Sequence, residues 1–347
     1  MRRPFRLLLL SLVVSLPSCG KDTTNPFAAL TPTVPAPADA DIIFTANTWS
    51  QDPTAGRELF SVRLDGTEVT QLTSCNTGPQ SCDTIEASVA ADRQRAVVLR
   101  TSGGVAGAAI DYLDLARGGT VEFVPASQPS SSIDWSPLGD ELIYSSAAQA
   151  GANEHVILSS IARPPNNNPQ DITCTAGLPC DPTVVERHPR LDDEAQSAVF
   201  EHAVVGGNSD IIQYTSLGAK VVVDAGATGT QPLPGTPYFV GGHADPTFSP
   251  DTTSAVYRTL TALGNGTFGS WDIVTASLVG GPRQTIVTGP AYRGAPDWGL
   301  KGIVFVELNS ATSQFSIVVV QPDGSGRQTV LTAPAGFTLS NPRWLFP

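Results

Sequence analysis

A short pattern that ends in a bulky apolar residue recurs six times along the chain. The copies end at Val89, Trp135, Leu191, Phe248, Trp298 and Trp344. They are spaced 46, 56, 57, 50 and 46 residues apart, which is the size of a four-stranded propeller blade. The sequence therefore predicts an all-β fold, a six-bladed β-propeller of four-stranded blades. We call the six terminal residues the anchors and expect them to pack between neighbouring blades.

The two ends of the chain complement each other. The segments DIIFTAN, ELFSVRLDG and EVTQLTS, which follow residue 40, read as three strands with no anchor before them. The last copy, NPRW, has an anchor but no strands after it. We therefore predict that the propeller spans residues 41–347 and that its C-terminal strand completes the N-terminal blade, which closes the ring and removes exposed sheet edges.

Composition agrees with a chain of short strands joined by many turns. The sequence contains 32 Gly and 29 Pro, and only 15% of its residues are charged, whereas amphipathic helices need more charge. A two-sheet sandwich is the alternative, but it does not explain an anchor that recurs at near-constant spacing.

The first 19 residues are typical of an export signal. A basic start, MRRPFR, precedes the apolar run LLLLSLVVSL, which is too short to span a membrane. The following LPSC resembles the bacterial lipobox, which implies lipidation of Cys19 and, with Gly20 rather than Asp next, an outer-membrane lipoprotein. An ordinary cleaved signal peptide with an incidental cysteine is the alternative. Residues 20–40, rich in Pro, Thr and Ala, predict an extended tether.

The four remaining cysteines form two local pairs. Cys75 lies near Cys82, and Cys174 lies near Cys180. Export to an oxidising compartment favours a disulfide within each pair. A zinc site is the alternative, but the pairs are far apart in sequence and neither has the short Cys-x2-Cys spacing.

The net charge of the chain disfavours nucleic acid and anionic lipid surfaces as partners. The formal net charge is -12, and loss of Arg2, Arg3 and Arg6 with the signal makes it -15. So acidic a body repels nucleic acid and anionic lipid headgroups. We expect no nucleic acid partner, and membrane contact only through the lipid anchor.

The repeat units WSPLGDELIYSS, FSPDTTSAVYRT and FSIVVVQPDGSGRQTVLT resemble the propeller repeats of the TolB family and those found beside the hydrolase domain of dipeptidyl peptidases. The resemblance covers nearly all of the chain after residue 40. It implies a propeller in the cell envelope, where TolB propellers grip an N-terminal segment of a partner. Unlike TolB, this sequence shows no α/β domain before the propeller and has a lipobox instead of a plain signal.

The sequence contains no nucleophile elbow, no His-Glu-x-x-His motif and no phosphate-binding loop, so no catalytic residue is predicted. The third residue before each anchor is expected to lie at one mouth of the central channel. With His243, which is close to Asp245, the binding candidates are Glu86, Ser132, His188, His243, Asp245 and Asn341. The alternative to a water-filled mouth is a divalent metal or a polar ligand held by Glu86, His188, His243 and Asp245. His155 and His202 are expected to be structural.

The residue directly before each anchor forms a second predicted ring on the channel wall. We call it the wall ring: Ser88, Asp134, Arg190, Thr247, Asp297 and Arg343. Two acids and two arginines among six positions can pair with each other, or they can grip a peptide that enters the channel. Structural pairing is the preferred interpretation.

These features lead to three functional hypotheses. The first is a monomeric, non-catalytic, lipid-anchored module that binds an envelope protein or peptide at the channel face, in the periplasm or at the cell surface. The second is a propeller enzyme, a metal-assisted polysaccharide lyase or hydrolase with a His-lined channel mouth, although the acidic body does not suit a polyanionic substrate. The third is a surface-exposed adhesive or scaffold lipoprotein. No cofactor is expected unless the metal alternative holds.

Overall fold

The computed structural model describes most of the chain from residue 35 onward. The described ranges are 35–47, 56–73, 82–102, 107–117, 119–128, 130–136, 141–147, 153–160, 169–174, 181, 183–192, 194–204, 209–215, 220–225, 242–260 and 270–345. The predicted signal, Cys19, most of the tether, Cys75 and Cys180 lie outside these residues. Lipidation and the two disulfides therefore stay predictions.

Within the described residues, twenty-four strands form six antiparallel four-stranded sheets, which are the six predicted blades. We number the strands in chain order and the blades from the N-terminus. Blade 1 consists of β24 (Leu339–Trp344), β1 (Ile42–Asn47), β2 (Arg57–Val62) and β3 (Thr70–Gln71); blade 2 of β4 (Cys82–Val89), β5 (Arg95–Ser102), β6 (Ala108–Asp114) and β7 (Gly119–Val124); blade 3 of β8 (Ser130–Trp135), β9 (Glu141–Ala147), β10 (Glu154–Ser160) and β11 (Gln170–Asp171).

Blades 4 to 6 repeat the same order from the inside outward. Blade 4 consists of β12 (Val184–Leu191), β13 (Ala198–Val204), β14 (Ser209–Tyr214) and β15 (Lys220–Asp224); blade 5 of β16 (His243–Phe248), β17 (Ser254–Leu260), β18 (Trp271–Ser277) and β19 (Gln284–Val287); blade 6 of β20 (Tyr292–Gly299), β21 (Gly302–Asn309), β22 (Gln314–Val320) and β23 (Gln328–Thr332). The described residues form no helix long and apolar enough to cross a membrane.

The predicted ring closure is confirmed. Strand β24, from the C-terminal end of the chain, pairs antiparallel with β1, and Trp344 lies opposite Ile42. The inner strands β24, β4, β8, β12, β16 and β20 lie next to one another around the axis, each in contact with the next. Each anchor lies at or next to the end of its inner strand.

The anchors pack between successive blades, as the repeat predicts. Trp135 of blade 3 packs against Val97, Leu99 and Ile110 of blade 2, and the other five anchors occupy the same place at the other five junctions. The fit at the closing junction is tight: a Cβ added at Gly299 would lie 2.6 Å from the Trp344 ring. Burial of large apolar side chains at all six junctions stabilises the ring.

The end of the predicted tether is already part of this core. Ala36 and Ala40 are buried in the cluster that joins blades 1 and 2. The Ala36 N–H donates to the Arg93 carbonyl, and Arg93 Nη1 donates to the carbonyls of Pro37 and Ala40. The packed unit therefore includes residues ahead of the predicted boundary at residue 41.

Closure by β24 predicts a difference between two leucine substitutions. Leu339 on β24 is 1% exposed and packs between blades 1 and 6, whereas Leu300 is 81% exposed in the turn after β20. We expect Leu339→Ala to lower the free energy of unfolding by about 2–5 kcal/mol, because it leaves a cavity at the closing junction. Leu300→Ala should change it by less than about 0.5 kcal/mol. Urea unfolding measures both, and equal effects would contradict closure by β24.

Candidate functional site

Every inner strand carries a one-residue β-bulge, where its register against the second strand shifts. In four of the six strands a proline lies in the bulge, and the residue before it has a φ between 48° and 53°. These preceding residues are His188, Asp245, Ala295 and Asn341. Because proline has no N–H, it fits where the ladder is interrupted. The bulge frees polar groups near the axis to bond outside their own blade.

The third residues before the anchors use this freedom to tie one inner strand to the next. Four of the predicted mouth residues bond through their side chains to a residue at, or just after, the bulge of the following blade. The bonds are His188 N–H to Ser132 Oγ (2.9 Å), Ala295 N–H to Asp245 Oδ2 (3.0 Å), Ile133 N–H to Glu86 Oε2 (3.1 Å) and Asn341 Nδ2 to the Ile85 carbonyl (2.7 Å). These side chains satisfy backbone groups that no ladder reaches, so they have a structural role.

The wall ring binds the blades in the same way, one step nearer the anchors. Asp134 accepts the N–H of the next anchor, Leu191, at 3.0 Å, and Asp297 accepts the N–H of Trp344 at 2.8 Å. Thr247 donates its hydroxyl to Asp297 at 3.3 Å. These bonds tie members of the wall ring to the next inner strand.

The two arginines of the wall ring, from blades 4 and 1, meet at Glu86 of blade 2. Arg190 Nη2 lies 2.7 Å from Glu86 Oε1, and Arg343 donates to the same oxygen. Arg343 also bonds to Asp134 at 2.6 Å. All of these side chains except Asp134 are buried, and they come from four different blades. We call this group the axial network. It joins blades 1 to 4 across the axis.

The pKa values in the axial network show how its buried charges offset one another. Burial acts to raise the pKa of Glu86, but the charges of Arg190 and Arg343 outweigh burial and hold that pKa below its usual value. Burial raises the pKa of Asp297, and the nearby Arg343 offsets only part of that rise. The pKa of Arg343 is raised, because Glu86, Asp134 and Asp297 outweigh the effect of burial. Glu86 and Arg343 are thus charged groups that compensate one another inside the protein.

A cavity of about 320 Å³ opens on the anchor side of this network. All six anchors and all six members of the wall ring line it, together with residues of the turns that follow the inner strands. The charged residues at its wall are Asp41, Arg93, Asp134, Arg190, Asp297, Lys301 and Arg343. We call it the anchor-end cavity. The anchors therefore have two roles that the repeat alone does not distinguish: they fill the blade junctions, and they also border an open space.

Among the described residues, none of the third residues before the anchors lines this cavity. His188 lies on the other side of the axial network, where its Nδ1 is 2.9 Å from Glu201 and 3.3 Å from Asp245. Arg258 pairs with Asp245 at 2.7 Å and lies over the Trp271 ring at 4.3 Å. The two ends of the channel thus differ. One is an open cavity, and the other holds a closely paired cluster of charges.

The pKa values in the His188 cluster follow from these neighbours. Burial acts to lower the pKa of His188, but Asp245, Glu201 and Glu86 outweigh it and raise the pKa. Burial acts to raise the pKa of Asp245, yet Arg258 and His188 lower it to about 2. Asp245 is therefore ionised at neutral pH and favours a protonated His188.

His243 does not join the other mouth residues. It is 1% exposed, its Nδ1 lies 3.0 Å from Thr259 Oγ1, and its Nε2 lies 3.2 Å from Asp224 of blade 4. Its ring meets the Tyr257 ring edge-on at 5.0 Å. The prediction that His243 reaches the channel mouth is corrected, since the bulge follows His243 and its side chain points into the junction between blades 4 and 5. The proposed four-ligand metal set is not assembled.

The remaining histidines lie together, which the sequence did not indicate. His155 of β10 and His202 of β13 both approach the buried carboxylate of Glu186 on β12. Sequence reasoning also missed Arg258 and Glu201, since both lie on second strands, where no repeat position marks them. The repeat spacing marks positions on inner strands alone, so it cannot predict a partner on another strand or another blade.

Comparison with known proteins gives matches of structure but not of sequence. No protein-family model and no curated protein sequence matches the chain. TolB from Acinetobacter baumannii matches over 89% of this chain and 68% of its own, with a TM-score of 0.63 and 13% identity. A TolB protein from Agrobacterium tumefaciens matches over 89% of this chain and 99% of its own, with a TM-score of 0.57 and 13% identity.

An enzyme is also among the similar structures. An oligogalacturonate lyase in complex with manganese matches over 80% of this chain and 73% of its own, with a TM-score of 0.51 and 11% identity. Likenesses at these identities establish the fold alone: the chain has a TolB-like six-bladed propeller fold, as its repeats predicted. Because one fold can carry unrelated functions, this likeness does not assign a function to the chain.

The His188 cluster predicts a pH dependence of stability. The pKa of His188 is raised above 6.5 in the folded protein, so its contribution to stability is fully present below about pH 6.5 and is lost as pH rises through the folded pKa. We expect the stability difference between wild type and His188→Gln to shrink as pH rises above that value. Urea unfolding at a series of pH values measures it, and a difference that stayed constant or grew with pH would contradict the assignment.

Proposed function

We propose that this chain is a non-catalytic, lipid-anchored protein-interaction module of the bacterial cell envelope, which holds a segment of a partner protein in the anchor-end cavity. The observation that carries the proposal is the cavity itself. It lies on the axis, is bordered by all six blades, and is lined by the apolar anchors together with charged side chains. Clefts of this kind, with a few fixed polar groups among apolar side chains, are typical binding sites.

The wall of the cavity suits a peptide segment. Trp298 and Trp344 are only partly buried and supply aromatic surface, while Leu300 at the rim is 81% exposed. Aromatic side chains are enriched in the centres of protein interfaces, and an exposed apolar rim beside them is a feature of interaction sites. A volume of about 320 Å³ suits a few side chains of an extended segment better than a folded domain.

The charge of the cavity differs from that of the whole body. The body carries a strong negative charge, but Arg93, Arg190, Lys301 and Arg343 face three carboxylates at the cavity wall. A neutral or mildly acidic peptide is therefore not repelled there. This local balance supports peptide binding at this end.

The export signal, the lipobox and the tether support a place in the envelope, with outer-membrane attachment through Cys19 facing the periplasm or the cell surface. The packed end of the tether also indicates which end of the propeller the tether approaches. Asp41 and Arg93 line the cavity, and Arg93 is bonded to the carbonyls of Pro37 and Ala40. The tether thus reaches the propeller at the end where the cavity opens.

The enzyme alternative has less support. The enzyme alternative relied on a mouth lined by His188 and His243, but these side chains lie in different places. His188 is paired with Glu201 and Asp245. The acidic body also disfavours a polyanionic substrate.

Site-specific photocrosslinking in the native envelope tests the proposal. A photoreactive residue at Leu300, in the turn between β20 and β21, borders the cavity. The same residue at Ala311, in the turn between β21 and β22, lies at the opposite end of blade 6 and is also exposed. We expect one defined envelope protein to be crosslinked from position 300 and not from position 311.

Two further results complete this test. Equal crosslinking from both positions, or none from position 300, would show that the anchor-end cavity is not the binding face. In the same preparation, Cys19→Ser should move the protein from the membrane fraction to the soluble periplasmic fraction. If the variant stayed in the membrane fraction, the lipid anchor would be wrong, whatever the crosslinks show.

A further inference from the structure

Asp297 differs from the other charged members of the wall ring in its ion pairing. Arg190 and Arg343 share Glu86, and Arg343 also pairs with Asp134 at 2.6 Å. Among the described residues, no Arg, Lys or His nitrogen lies within 4.0 Å of the Asp297 carboxylate. The axial network therefore pairs its charges on the side of blades 1 to 4, and the wall carboxylate of blade 6 has no counter-ion in contact with it.

The Asp297 carboxylate can accept further hydrogen bonds. Its Oδ2 accepts the Trp344 N–H at 2.8 Å, and its Oδ1 accepts the Thr247 hydroxyl at 3.3 Å. An ionised carboxylate has about four positions for hydrogen bonds, so each oxygen can accept one more. Asp297 is partly exposed and lines the anchor-end cavity, so a donor group of a ligand in the cavity can reach it.

The environment of Asp297 also favours an added positive charge. Burial raises the pKa of Asp297, and Asp134 adds to that rise. The charges of Arg343 and Arg190 and the N–H of Trp344 offset only part of it. The ionised form of this carboxylate is thus under-compensated in the protein alone, and a cation beside it stabilises that form.

Two indole rings lie next to this carboxylate. Trp298 follows Asp297 directly in the chain, and Trp344 is bonded to it through its N–H. Both tryptophans are only partly buried, and both line the cavity together with Trp135 and Phe248. Aromatic rings attract cations, most strongly where water is excluded. A carboxylate between aromatic side chains, in an enclosed space, is a suitable site for an organic cation.

We propose that the anchor-end cavity recognises a lysine or arginine side chain of the partner segment, with its cationic group on the Asp297 carboxylate between Trp298 and Trp344. This inference rests on the proposed function, because it names the group of the partner that enters the same cavity. Such a side chain has an apolar stem that fits among the anchors and a head with several N–H donors. One cationic group on an otherwise neutral segment agrees with the mixed charges of the cavity wall.

An acidic side chain is a weaker occupant of this position. Arg190 and Arg343 are bound to Glu86, and Lys301 pairs with Asp41. A carboxylate of the partner would have to compete with these existing partners. A basic side chain meets a wall carboxylate that has no ion pair among the described residues, so charge complementarity favours it.

Titration of the mature chain with two small molecules, followed by nuclear magnetic resonance, tests the inference without knowledge of the partner. n-Butylammonium represents the end of a lysine side chain, and 1-butanol is a neutral molecule of the same length. We expect n-butylammonium to shift the indole N–H signals of Trp298 and Trp344 in a saturable way. Its dissociation constant should be at least about tenfold lower than that of 1-butanol, because an ion pair and cation–π contacts add to the apolar contacts.

Two conservative substitutions complete this titration. Asp297→Asn keeps the size of the side chain and an acceptor for the Trp344 N–H. It should fold and bind 1-butanol like wild type, and it should lose the preference for n-butylammonium. Asp323 is exposed in the turn between β22 and β23 and does not line the cavity, so Asp323→Asn should keep that preference. Thermal unfolding checks that both variants fold.

Three results of the titration would overturn the inference. They are equal affinity of the wild-type protein for both molecules, no shift of either indole signal by n-butylammonium, and a preference for n-butylammonium that survives Asp297→Asn.

The crosslink from position 300 separates this inference from the proposed function. Asp297→Asn in the same chain should reduce that crosslink at least several-fold. An undiminished crosslink would show that the partner is held without a basic group at Asp297, which overturns the inference and leaves the proposed function standing. Absence of the crosslink in the wild-type protein would contradict the proposed function, and the titration would then decide by itself whether the cavity prefers a cation.

Discussion

At the axis of this propeller, backbone groups of the inner strands need hydrogen-bond partners from outside their own blade. Among the described residues, each inner strand pairs with the second strand of its own blade, and no backbone ladder joins one inner strand to the next. Buried N–H groups on that edge need other acceptors. The wall ring and the residues at the bulges supply them, as Asp134 does for Leu191 and Asp297 does for Trp344. The repeat therefore needs polar residues to hold the ring together, whatever function the protein has.

This requirement also explains the charges on the axis. A carboxylate that caps a neighbouring strand inside the protein needs a compensating charge, and Arg190 and Arg343 provide it through Glu86. The resulting network separates the two ends of the channel. On one side lies the anchor-end cavity, and on the other lies the paired cluster around His188. Among the described residues, the open cavity therefore lies at the anchor end of the channel.

The strands and their closure could be predicted because they depend on periodic features. The anchor spacing placed every inner strand, and the N-terminal segments without an anchor predicted the pairing of β24 with β1, which the structure confirms. The positions of individual side chains were harder to predict. His243 was assigned to the mouth because it lies two residues from Asp245, but alternation along a strand does not continue through a bulge. Partners such as Glu186 with His155 meet across a blade junction, and nothing in the spacing of one blade records where the next blade's side chains lie.

Side chains of the wall ring, and not backbone ladders, hold the inner strands together at the axis. Hydrogen exchange measured residue by residue tests it at the N–H groups of Leu191 and Trp344. We predict that both exchange only on global unfolding, and that Asp134→Ala and Asp297→Ala speed exchange at Leu191 and Trp344 respectively, while Val199 in the β13 ladder stays protected. Exchange of both N–H groups at the rate of exposed turns in the wild-type protein would show that the wall ring does not protect them.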